Sequence, residues 1–117
     1  MIQITPHIKI FIAAEPIDFR KGIDGITGIC RKMLKNPFSG HIFVFRNRSA
    51  NSIKILMYDG QGFWLCQKRL SKGKFKWWPD KNDTSLHQLA AYELQLLIVN
   101  GNPTECNVSP DWRSITN

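Results

Sequence analysis

Between His41 and Trp78 the chain alternates short apolar runs with tight polar turns, and this pattern constrains the fold more than any other feature. His41–Arg46 (HIFVFR) is apolar at successive positions, which predicts a central strand buried on both faces. Asn47–Asn51 follows as a polar loop, and Ser52–Tyr58 (SIKILMY) as a second strand. Asp59-Gly60-Gln61-Gly62 reads as a tight turn before a third strand, Phe63–Leu70. Ser71-Lys72-Gly73 reads as another turn, before a fourth strand at Lys74–Trp78 stopped by Pro79. Three short connections in a row leave little room for crossovers, so the block predicts an antiparallel meander.

The flanks add an earlier strand and two helices. Ile8–Ile12 is β-branched and aromatic, closed by Pro16. In Phe19–Lys35, Phe19, Ile23, Ile26, Cys30, Met33 and Leu34 share one stripe at helical spacing, with Asp18 placed to cap it. Gly22, Gly25 and Gly28 on that helix suggest close packing against a neighbour. Ser85–Val99 predicts a second helix, capped by Ser85 and ended by Asn100-Gly101. The expected architecture is a single α+β domain over residues 1–101. In it, an antiparallel meander of about four to five strands, one-sided, packs with two amphipathic helices. Residues 102–117 form a polar tail.

Charge is distributed unevenly. Residues 41–78 hold eight basic groups against Asp59 alone, while residues 79–117 hold two basic and five acidic groups. Such a basic block favours a polyanionic partner, nucleic acid first and an acidic protein surface second. Catalytic and metal chemistry find no foothold. Asp18, Asp24 and Asp59 each have a local role as cap, helix-surface partner or turn residue. His7, His41 and His87 have no ligand spacing, and Cys30, Cys66 and Cys106 form no CxxC pair. No cofactor motif is present, and GIDGITG matches no phosphate-binding loop. Met1–Lys9 lacks a signal-peptide pattern and Leu94–Val99 is too short to span a bilayer, so a cytoplasmic chain with no membrane partner is expected.

The stretch KRLSKGKFKWW, Lys68–Trp78, interleaves cations with aromatics. Strand alternation puts Phe75 and Trp77 on one side and Lys74, Lys76 and Trp78 on the other. If Lys54 and Lys68 share that second side, the four lysines form a positive ladder for a phosphate backbone, with Trp78 free to stack on a base. The bland alternative is a solvated face whose lysines guard a sheet edge.

Four ordered motifs carry a resemblance. They are Ile17-Asp18-Phe19-Arg20-Lys21-Gly22-Ile23-Asp24-Gly25, the PFSGHIFVFR stretch at Pro37–Arg46, Ile53–Phe63, and Lys68–Trp77. Together they make the chain similar to the accessory proteins called TnpB or Orf2 of insertion sequence 66 elements, over roughly Ile8–Gly101. Ser71 stands where that family has an acidic residue, and Trp78 intervenes before Pro79. The resemblance implies a non-catalytic role in bacterial DNA transposition beside a separate DDE-type transposase. The expected partners are DNA, in particular the element ends, and the transposase with other element-encoded proteins; the alternative is an adaptor that docks on the transposase without touching DNA. The expected phosphate contacts are Arg46, Arg48, Lys54, Lys68, Arg69, Lys72, Lys74 and Lys76, with Arg20, Lys21 and Trp78 secondary.

Overall fold

The computed structural model describes residues 7–33, 35–80 and 86–99. Five strands and two helices follow in the order β1 (Ile10–Ala13), α1 (Ile23–Lys32), β2 (Ile42–Arg46), β3 (Ser52–Tyr58), β4 (Phe63–Arg69), β5 (Leu86–Leu89) and α2 (Ala91–Ile98). They build one sheet with strand order β4-β3-β2-β1-β5. The α+β class and the meander β2-β3-β4 agree with the sequence pattern. The sheet is nevertheless mixed. β1 lies parallel to β2, with Phe11 opposite Phe43, because α1 intervenes and carries the chain back across the sheet.

Both faces of the sheet are covered, so the expected one-sided sheet is corrected. On one face Phe11, Phe43, Phe45 and Leu56 pack with Ile26 and Cys30 of α1. On the other, Ile10, Ile12, Ile42, Val44 and Ile53 pack with Leu94 and Leu97 of α2. β1 and the apolar part of β2 are buried on both sides, which is why they read as unbroken apolar runs. The Cys30 thiol lies in the first cluster, and burial pushes its pKa up to about 11.

Three elements differ from expectation. Lys74–Trp78 is not a strand: after β4 the chain forms an irregular strap instead. Phe75 is buried in the α2-side cluster, and its N–H donates to Ala50 O at 2.8 Å, so its backbone is satisfied without a ladder. The stretch read as one long second helix divides into β5 and α2. β5 completes the far edge against β1, and this pairing outweighs the helical spacing of Leu86 and Leu89. Glu93 accepts a hydrogen bond from Ala90 N–H at 2.9 Å at the start of α2, and Ser85 lies outside the described residues.

The first helix starts four residues later than its stripe suggests. Gly22, not Asp18, occupies the cap position. Asp18 instead receives the Arg20 N–H at 2.9 Å and the Arg20 side chain at 2.8 Å. The glycines do not mark a tight helix crossing. A Cβ at Gly22 or Gly28 would meet nothing, and one at Gly25 would meet only the Lys21 side chain. The proposed tail at 102–117 lies outside the described residues.

Candidate nucleic-acid interface

The strand registers bring Ala13, Arg46, Ser52, Arg69 and Leu86 to one end of the sheet. Three connections meet there: residues 14–22 after β1, Asn47–Asn51 between β2 and β3, and residues 70–80 after β4. They carry Arg20, Lys21, Arg48, Lys72, Lys74 and Lys76. Arg46 and Arg69 stand at the adjoining strand ends. Eight of the chain's sixteen lysines and arginines therefore fall at one rim of the sheet rather than on one face.

The loop Asn47–Asn51 is the rigid centre of this rim. Asn47 Oδ1 accepts from the backbone of Asn51 at 3.1 Å and of Ser52 at 3.2 Å, while its Nδ2 donates to Asn51 Oδ1 at 2.6 Å. Ser49 Oγ donates to the same oxygen at 3.0 Å. Ala50 sits at φ 58°, a left-handed position that the surrounding bonds hold in place. The loop thus presents Arg48 from a fixed platform.

The neighbouring connections are tied to this platform. Ile17 N–H donates to Arg46 O at 2.9 Å, and Leu70 N–H to Asn51 O at 2.8 Å. A depression of about 530 Å³ lies on one side of the loop, lined by Asp18, Arg20 and Arg48 among others. A second of about 360 Å³ lies on the other side, lined by Asn51, Arg69, Leu70, Ser71, Lys72 and Gly73. Arg48, Arg69, Lys72, Lys74 and Lys76 are all exposed. Acidic groups on the same connections are few: Glu15, Asp18 and Asp80. The Asp18 carboxyl is already engaged, its pKa held down at about 2 by the hydrogen bond from the Arg20 guanidinium.

Not every expected contact belongs to this rim. The lysine ladder does not exist, because Lys54 and Lys68 leave opposite faces of the sheet. Lys54 pairs with Phe45 on the α1 side and is 6% exposed. Its Nζ donates to Phe19 O at 2.8 Å and Lys21 O at 3.0 Å, and lies 4.9 Å from the Phe19 ring centroid. It holds the segment before α1 against the sheet and is not available to a ligand. Lys68 points to the α2 side, where its Nζ donates to Ile98 O.

Trp78 is not a free stacking platform either. It is half-buried against the α2-side cluster, and its indole N–H donates to Ala13 O at 2.7 Å. The Arg46 guanidinium stands 5.9 Å from a Trp78 ring centroid and donates to Asn47 O at 3.1 Å. Burial lowers the pKa of that guanidinium, and its buried Nε has no hydrogen-bond partner among the described residues. Arg46 therefore braces the strap against the loop as well as adding charge.

No constellation of acid, base and metal ligand gathers at the rim among the described residues. Among the described residues no group of three His, Cys, Asp or Glu side chains could hold a metal ion. Asp59 lies at the opposite end of β3, where the N–H groups of Gln61 and Gly62 and the Trp64 indole lower its pKa. No described helix is long and apolar enough to cross a membrane.

The comparison with protein families decides the assignment: residues 8–106 match the family described as IS66 Orf2-like protein. This chain belongs to the IS66 Orf2-like family. Membership gives it an accessory role in insertion-sequence transposition. Two relatives come from Sinorhizobium fredii and are described as uncharacterized proteins. The protein y4jC is 35% identical over 99 residues, covering 84% of this chain and 83% of its own. The protein y4hO is 37% identical over 78 residues, covering 66% and 68%. No solved structure matches the chain.

The sequence reading of this IS66 Orf2-like chain grouped its candidate cations by strand alternation, whereas the structure gathers most of them by connection at one end of the sheet. The signal for the true grouping was their position in connections. Arg48, Lys72 and Lys74 sit in or beside turns, which an antiparallel β2-β3-β4 block returns to the same end. The Asn47–Asn51 bracket was missed, although two asparagines four residues apart in a short polar loop suggest such a clasp.

Proposed function

We propose that this IS66 Orf2-like chain assists transposition by binding duplex DNA through the rim built on Asn47–Asn51, beside a separate transposase. One observation carries this reading. Arg48, Lys72, Lys74 and Lys76 stand exposed on connections that hydrogen bonds fix to one another, with Arg69 exposed at the adjoining end of β4. Exposed cations on a rigid platform suit a phosphate backbone, since the counterions they displace supply the affinity. Such contacts position a protein on DNA without reading bases. Sequence choice would then lie with DNA shape or with the transposase.

The test is binding to insertion-sequence end DNA across a salt series. The rim predicts affinity that falls steeply and linearly in log–log form as salt rises. Absence of binding at low salt would overturn the DNA reading and favour the adaptor alternative.

A further inference from the structure

β4 is an outer strand of the sheet: among the described residues nothing pairs with its far side. Which of its amides face outward follows from the hairpin. Leu70 N–H donates to Asn51 O, and Asp59 N–H to Gly62 O. In an antiparallel pair such positions alternate, so Trp64, Cys66 and Lys68 turn their backbone groups toward β3. Phe63, Leu65, Gln67 and Arg69 turn theirs outward. Beside this edge, on the α2 side, lies an apolar depression of about 470 Å³. Ile53, Ile55, Trp64 and Cys66 line it, and Ile98 closes one side. Trp64 is 44% exposed there although its indole N–H is fixed to Asp59 Oδ2 at 2.7 Å.

We propose that a second copy of this chain pairs with this edge, β4 against β4, antiparallel about a two-fold axis through Cys66. Cys66 is the middle residue of the seven-residue strand, so this register overlaps the strand along its whole length. It also sets each cation opposite an aromatic. Lys68 faces the partner's Trp64, and Arg69 faces the partner's Phe63. No like charges meet, whereas a parallel pairing in register would stack Lys68 on Lys68 and Arg69 on Arg69. Leu65 and Gln67 exchange backbone hydrogen bonds with the partner's Gln67 and Leu65 through their outward groups.

Lysine on an outer strand ordinarily guards it against pairing. Here the guard stands at one end and the aromatics at the other, which makes the edge self-complementary rather than repellent. The two copies form one continuous sheet, and each Trp64 gains a neighbouring chain over its exposed side. The two basic rims then stand at opposite ends of the joined sheet. The pairing is argued from β4 alone and holds whether or not the rim binds DNA.

Light scattering of the DNA-free protein should give twice the chain mass. In a Cys106→Ser background only buried Cys30 and exposed Cys66 remain. Diamide, which takes up the two electrons and two protons of the thiols, should then link two chains through Cys66. That pair is of the close, non-hydrogen-bonded type whose spacing suits a disulfide. Gln67→Pro removes an outward N–H and should yield monomer with an unchanged circular dichroism spectrum. Trp64→Lys places ammonium groups opposite each other in two symmetric pairs and should weaken the dimer about tenfold. A monomer at every concentration would overturn the proposal. So would a dimer that neither links through Cys66 nor weakens with Trp64→Lys.

Discussion

Lys54 Nζ reaches out of the sheet to the carbonyl oxygen of Phe19 at 2.8 Å, across thirty-five positions of sequence. A cation in the middle of a basic strand block is thereby spent on the fold. Lys54→Met keeps the apolar stem but leaves the carbonyls of Phe19 and Lys21 without their donor. The expected cost is about 1.5–3 kcal/mol, the range for a hydrogen bond to a charged group. Urea denaturation reads it. DNA affinity and its salt dependence should stay unchanged in the folded variant.

The strap at residues 70–80 depends on Trp78 for its attachment to β1. Trp78→Phe retains most of the ring but leaves Ala13 O without its indole partner. It should cost about 1–2 kcal/mol in the same denaturation assay. Phe75→Ala acts on the same strap by emptying a buried ring site, and should cost about 3–5 kcal/mol.

How much of this was legible beforehand differs by element. β2, β3 and β4 announced themselves because turn residues bracket strands of unmistakable composition. The strap did not. Phe75 and Trp77 alternate with lysines as a strand would, and only the tertiary bonds to Ala50 and Ala13 give the backbone another place to go. β5 was hidden for a similar reason: Leu86 and Leu89 suit a helix face, and pairing with β1 overrides that preference. The clustering of cations at one end of the sheet was legible only in part, since a side chain's face depends on register while its loop position depends only on the turns, and Lys54 and Lys68 fall outside the cluster.

His41 supplies a pH-dependent element. Its Nδ1 accepts the Lys9 N–H at 3.0 Å, which requires that nitrogen to be unprotonated. Burial, with Lys9 and Lys35 nearby, lowers its pKa from the ordinary 6.5. The unfolded chain therefore takes up the proton more readily than the folded one. The stabilisation is fully present above pH 6.5 and is lost as pH falls through the lowered folded value. Denaturation midpoints across this window should fall in the parent protein and fall less in His41→Gln.

The most direct test of the rim compares two triple variants with the same change in net charge. Arg48→Ala/Lys72→Ala/Lys74→Ala removes exposed cations from the rim. Lys9→Ala/Arg31→Ala/Lys32→Ala removes exposed cations from the far end of β1 and from α1. Each phosphate contact contributes about 0.9 to the slope of log affinity against log salt. The rim variant should therefore lose about 2–3 units of slope on insertion-sequence end DNA, and the second variant should keep the parent slope. Equal losses in both, or a full slope in the rim variant, would contradict the account.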